Sequence, residues 1–88
     1  MLKIEFAKSF KKSYKKLNQK ERELFENISF KLANNETLEA KYKDHALKGD
    51  LIGFRECHLK PDLLLIYQKQ DDKLILYCLN IGSHSELF

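Results

Sequence analysis

Three histidines (His45, His58 and His84), one of only two arginines (Arg55) and Asp62, beside the single proline, fall in two stretches of this chain. The first runs from Tyr42 to Leu64, YKDHALKGDLIGFRECHLKPDLL, and the second from Gly82 to Phe88, GSHSELF. Histidine is the side chain whose ordinary pKa, about 6.5, lets it both take and give a proton near neutrality. Two or three histidines converging with a carboxylate and basic residues suit the cleavage of RNA without a metal. That reaction needs a base to activate a ribose 2′-hydroxyl and an acid to protonate the departing 5′-oxygen. It also needs cations to stabilise the charge that builds on the phosphorus oxygens. Lys41, Lys43, Lys48, Lys60 and Arg55 are the candidate cations, and Arg55 stands out because its planar fork matches phosphate oxygens. Phe88, the last residue, is placed either to stack on a base or to plug the hydrophobic core.

Other uses of these residues compete with that one. A single histidine is more often an idle surface group, and a single lysine more often a solvated charge. The histidine separations of 13 and 26 residues match no common zinc pattern, and no HxH or HxxxH pair exists. Cys57 and Cys78 lie too far apart in sequence for a CxxC pair and read as buried thiols, not nucleophiles.

The elements that must position these groups follow from hydrophobic spacing. Leu2, Ile4 and Phe6 alternate with Lys3 and Glu5 as in a half-buried strand. Phe10, Tyr14 and Leu17 recur at helical spacing and predict a short helix over about residues 7–17. Asn18 with Glu21 three residues later is a capping box that opens a second helix, ending near Asn34 and Asn35. Residues 36–52 read as a polar connection with one short turn of helix. Three strands then follow: one after Gly53 to Leu59, one over Leu63–Lys69, and one over Lys73–Ile81. Turns at Lys60-Pro61-Asp62 and Asp71-Asp72 join them. The run LLLIY is continuous enough to be a central strand, and Gly82 releases a short tail. The expected architecture is α+β, with order β-α-α-β-β-β. It is a single domain over residues 1–88, with a mainly antiparallel four-stranded sheet and a helical hairpin on one face. The spacing allows His58 and His84 to meet at one end of that sheet but does not require it.

Composition sets outer bounds. With 43% hydrophobic and 33% charged residues in 88, the chain has enough apolar material for one core and is not a disordered segment. No apolar run approaches the roughly 20 residues of a membrane span, and Lys3 and Glu5 interrupt the N-terminal stretch, so the expected location is the cytoplasm. Net charge is only +3, yet residues 1–20 carry seven lysines against one acid. Such a stripe suits a polyanion through counterion release, or is simply a solvated face.

The blocks YKDHALKG, FRECHLKPDLLLIY and GSHSELF resemble the YafQ branch of the RelE/ParE toxin superfamily of type II toxin–antitoxin modules. All three occur in family order and at similar separations. The resemblance implies an endoribonuclease, an mRNA interferase that cuts messenger RNA, often on the ribosome, without metal or other cofactor. It also implies a cognate antitoxin as partner. By motif, His45, His58, Asp62 and His84 fall on the catalytic positions, with His84 as general acid and His58 or Asp62 as base. Arg55, with Lys48 or Lys60, would hold phosphate, and Phe88 would stack on a base. Two positions depart from the pattern: Leu63 stands where members can carry tryptophan, and Asn80 where they often carry arginine. Two further readings share the superfold. One is a toxin acting by protein binding, as gyrase inhibitors do, for which the histidines are superfluous. The other is a catalytically weakened RNA binder, which Leu63 and Asn80 would suit.

Overall fold

The computed structural model describes residues 1–88. The chain runs β1 (Lys3–Phe6), α1 (Lys8–Tyr14), α2 (Gln19–Ala33), β2 (His45–Ala46), β3 (Arg55–Lys60), β4 (Leu63–Gln70), β5 (Ile75–Gly82) and α3 (His84–Leu87). Three single 3-10 turns, Ala40–Tyr42, Gly49–Leu51 and Asp71–Lys73, punctuate the connections. The sheet order is β1-β5-β4-β3-β2. Strands β3, β4 and β5 form the expected antiparallel meander, and β1 adds to β5 in parallel.

The α+β class and the helix pair follow the sequence expectation, while the sheet has five strands, not four. The additional strand is only His45–Ala46, paired antiparallel with Glu56 and Arg55. Two residues are too few to carry a period-2 signal. The C-terminal tail is a turn of helix, because Ser83 and Glu86 form a capping box in which each side chain accepts from the other's backbone N–H. At the head of β5, Leu74 adopts a left-handed conformation (φ 56°), so the strand starts at Ile75 and not Lys73.

Alternation along the central strands divides the sheet into two faces. Cys57 and Leu59 of β3, and Leu63, Leu65 and Tyr67 of β4, point into one core with Leu76, Cys78 and Ile81 of β5. The helices close that core with Phe10 from α1 and Phe25, Ile28 and Leu32 from α2. Phe10 and Phe25 meet with ring centroids 4.9 Å apart. Glu56 and His58 of β3 have the opposite parity and so face away from this core, opposite Ile66 and Leu64 of β4. Both cysteines are buried with raised pKa values, Cys78 to about 12, each chiefly through burial. They are neutral packing groups.

The helix pair is set by local chemistry. The Asn18 side chain accepts from the Glu21 N–H at 2.8 Å, and Glu21 accepts from the Asn18 N–H at 3.0 Å. Glu21 also reaches Lys60 Nζ at 2.9 Å, tying α2 to the end of β3. Arg22 donates to the carbonyls of Tyr14 and Lys15 and so finishes α1.

Asn18→Ala is expected to cost about 1 kcal/mol in urea unfolding, the usual loss for a removed cap. The Asn18 N–H first, and Lys60 second, hold the Glu21 carboxyl below its ordinary 4.5. Its charge therefore stabilises the fold at and above pH 4.5, and that contribution fades as pH drops through the lowered value. Glu21→Gln should destabilise at pH 7 and converge with the parent protein in acid. A penalty that stays constant with pH would contradict this.

Candidate active site

The site is organised by a carboxylate that the sequence reading passed over. Glu56 is only 5% exposed, and its Oε1 lies 3.1 Å from His58 Nε2 and 3.8 Å from His45 Nε2. Position i,i+2 on β3 puts Glu56 and His58 on one face, and the pairing of β2 with β3 sets His45 directly across from Glu56. An ionised carboxylate can only accept, so His58 donates its Nε2–H to it. That leaves the lone pair on His58 Nδ1 available as a proton acceptor. The second ring is fixed in a similar way: His45 Nδ1–H donates to the Lys43 carbonyl at 2.7 Å. Lys43 is left-handed (φ 48°), which turns its carbonyl back toward the ring. The signal in the sequence was there to find, since an acid two residues before a histidine in a strand shares its face.

His58 and His84 do lie at the same end of the sheet. In register, His58 pairs with Leu64 and Leu64 with Gly82. At about 4.8 Å per strand, the backbones of residues 58 and 82 are roughly 10 Å apart. His84, two residues beyond Gly82, begins α3, and its backbone N–H donates to Asp62 Oδ1 at 3.4 Å. The turn between β3 and β4 is thereby tied to α3. The His84 ring is exposed and packs on Phe88, with centroids 5.2 Å apart and planes at 38°. Phe88 is 54% exposed and is not part of the core.

The predicted cations are distributed differently. Arg55 has core-side parity on β3, and its Nε donates to Asp44 Oδ1 at 3.2 Å, while the Tyr67 hydroxyl donates to the same oxygen at 2.6 Å. Burial opposes the Arg55 charge, but Tyr67 and Asp44 outweigh it and keep the guanidinium ionised. Arg55 thus faces away from the Glu56–His58 pair. A register shift between His58 and Lys60 turns Lys60 toward α2, where it pairs with Glu21. Lys48 is exposed just beyond β2, ahead of the Gly49–Leu51 turn. Leu63 is buried in the core, and Asn80 accepts from the Ser13 hydroxyl of α1 at 2.7 Å. Their side chains therefore have structural partners where the resemblance would place a stacking ring and a cation. No group of three or more histidine, cysteine, aspartate or glutamate side chains is arranged to hold a metal ion. No helix is long and apolar enough to cross a membrane.

The small α+β fold with a helical hairpin on one face is that of the RelE-like toxins whose solved structures it matches. Residues 2–88 match the family model described as "Bacterial toxin of type II toxin-antitoxin system, YafQ". The chain belongs to the YafQ toxin family. It is 35% identical over 88 residues to the mRNA interferase toxin YafQ of Escherichia coli K12, covering 97% of this chain and 94% of the relative. Among solved structures it superposes with a TM-score of 0.88 on a metal-bound toxin from Helicobacter pylori, at 47% identity and full coverage of both chains. It also matches a chain of the E. coli DinJ–YafQ complex with a TM-score of 0.84 at 36% identity, covering 100% of this chain and 99% of the other.

Glu56→Gln removes the anion between the two rings while keeping its volume. It should lower the rate of RNA cleavage at least about tenfold, a part of what one proton-transfer group contributes. Nitrogen NMR of the imidazoles should show His58 losing its Nε2–H preference. An unchanged His58 tautomer with full activity would remove Glu56 from the site.

Proposed function

We propose that this YafQ-family toxin, an mRNA-cutting endoribonuclease, works by 2′-hydroxyl attack with a histidine base and a histidine acid, independently of metal. His58 Nδ1 takes the proton of the ribose 2′-hydroxyl, and O2′ forms a bond to phosphorus. The bond from phosphorus to O5′ breaks, and His84 gives its proton to that oxygen. The products are a 2′,3′-cyclic phosphate and a free 5′-hydroxyl. The observation that carries this reading is the Glu56–His58 pair at 3.1 Å, which leaves the distal nitrogen of His58 as the acceptor. Glu56 is a positioning residue in this scheme.

The remaining roles follow from placement. His45, fixed by the Lys43 carbonyl beside Glu56, orients and stabilises the phosphate. Asp62 holds the first turn of α3, and with it His84. It is the less suited of the two candidate bases because it is engaged there. Phe88, exposed beside His84, offers a ring face to a base. Lys60, when released from Glu21, is a phosphate contact beside His58, and Lys48 is a more distant one, beyond the Leu47–Phe54 bond on the side of β2 away from His58. Arg55 acts at a distance by bracing the Asp44–Tyr67 cluster that precedes His45.

In the cytoplasm the substrate is messenger RNA, free or engaged on the ribosome, and a cognate antitoxin is the partner that restrains the toxin. The E. coli relative is found in complex with DinJ. The exposed lysines of α1, Lys8, Lys11, Lys12, Lys15 and Lys16, offer a polyanion-binding face on the helix layer.

Purified His58→Ala and His84→Ala proteins should keep the parent circular dichroism and cut RNA at least tenfold more slowly, in line with the loss of one proton-transfer group. The parent should give a bell-shaped pH–rate profile. His58→Ala should lose the limb that rises with pH, and His84→Ala the limb that falls. Full activity of the His84→Ala protein would overturn the acid assignment.

A further inference from the structure

A groove of about 510 Å3 opens along the outer side of β3, next to the Glu56–His58 pair and on the far side of His58 from His84. Its wall is formed by Lys41, Tyr42, Lys43, His58 and Lys60, with Leu24, Leu59 and Pro61 completing it. The size falls within the range of about 300–1,000 Å3 typical of small-ligand sites. The groove exists because β2 pairs with β3 only at Arg55 and Glu56. Beyond those two residues the outer edge of β3 has no strand partner, and the chain from Ala40 to Lys43 lies alongside instead, as a 3-10 turn.

The charge of this groove is one-sided. Three lysines line it and no carboxylate does. Lys60 is offset by Glu21 at 2.9 Å, but Lys41 and Lys43 are exposed and appear in no ion pair. The neighbouring cleft near α3 differs: it sets Lys16 and Lys60 against Glu21, Asp62 and Glu86, which leaves it no preference for an anion. The basic groove also has an apolar part. Lys41 Nζ stands 5.2 Å from the centroid of the Tyr42 ring, and Leu24 and Leu59 lie beside it. A cationic rim over an aliphatic and aromatic floor matches a nucleotide, with phosphate to the lysines and base to the floor.

We infer that this groove is a nucleotide subsite, holding the RNA residue that flanks the scissile phosphate on the His58 side, with Lys41 and Lys43 as its phosphate ligands. The inference rests on the ribonuclease reading above and extends it, because His58 is a wall of the groove and belongs to the catalytic pair. The RNA strand then runs from Phe88 and His84, across the row His58–Leu64–Gly82, into the groove beside Tyr42. Base preference on that side is set by Tyr42, Leu24 and the open edge of β3.

The test compares the parent with a Lys41→Ala, Lys43→Asn double variant. Asparagine tolerates the left-handed backbone at position 43, so the loop is preserved. A Lys3→Ala, Lys73→Ala variant removes the same charge from the far end of the sheet as a control. Binding is read by fluorescence anisotropy on a short RNA methylated at every ribose 2′-oxygen, which cannot be cut, between about 50 and 200 mM salt. The groove variant should bind about tenfold more weakly at the low-salt end, as expected for lost charged hydrogen bonds. Its salt slope should fall by about 1.4, or about 0.7 for each single-strand phosphate charge no longer matched. On cleavable RNA its KM should rise by a larger factor than its kcat falls, because the acid and base are intact. Equal losses in the groove and control variants would overturn the subsite, as would unchanged binding by the groove variant while the parent cuts RNA. A parent that neither binds nor cuts RNA, with or without ribosomes, would overturn the ribonuclease reading itself, and the subsite with it.

Discussion

A carboxylate taken out of water must be paired, and the pairing of Glu56 determines how the rest of the site is built. Removing the hydrogen-bond donor of such a carboxylate typically costs about 1–3 kcal/mol, because the buried acceptor is left unsatisfied. Glu56 meets His58 through strand alternation and His45 through the two-residue strand β2. Both contacts depend on register. A one-residue slip of β3 would carry Glu56 and His58 into the helix-covered core and bring Cys57 to the opposite face. The hydrophobic demands of Cys57, Leu59, Leu65 and Tyr67 therefore also fix the direction in which Glu56 and His58 point. In this fold, core packing and the geometry of the proposed acid–base groups are one constraint.

The other end of the site is held by lighter means. α3 is a single turn, capped reciprocally by Ser83 and Glu86 and joined to the β3–β4 turn through Asp62. Gly82 fits because an added Cβ would stand 3.1 Å from the Glu86 carboxylate. The His58 side of the site is thus part of the sheet, while the His84 side is a short, exposed turn resting on it. That difference suits the proposed roles, a base at His58 that must hold one tautomer and an acid at His84 that must reach a leaving oxygen on a large substrate.

Most of the frame was legible in the sequence, because it rests on signals that repeat. The Asn18–Glu21 capping box, the helical spacing of Phe25, Ile28 and Leu32, and the apolar run Leu63–Tyr67 each report their element directly. β2 was not legible, since its existence depends on what Glu56 and Arg55 offer across the gap and not on its own two residues. The Ser83–Glu86 box was visible and went unread behind Gly82. The histidines could be named from type and motif, but their common end of the sheet needed the register of β3, β4 and β5. Glu56 belongs to no motif in the sequence, and only its burial marks it out. Arg55, a candidate phosphate ligand by type, is bonded to Asp44 on the core side of β3.

The central claim is that the 2′-hydroxyl of the RNA is the nucleophile and that protein side chains alone move the protons. It is tested most directly by incubating the purified protein in EDTA with a short RNA and its all-2′-deoxy counterpart, each with and without ribosomes, and identifying the new ends by mass spectrometry. The account predicts that only the RNA is cut, leaving a 2′,3′-cyclic phosphate and a 5′-hydroxyl. Cleavage of the deoxy strand, or activity that vanishes with EDTA and returns with added metal, would contradict it.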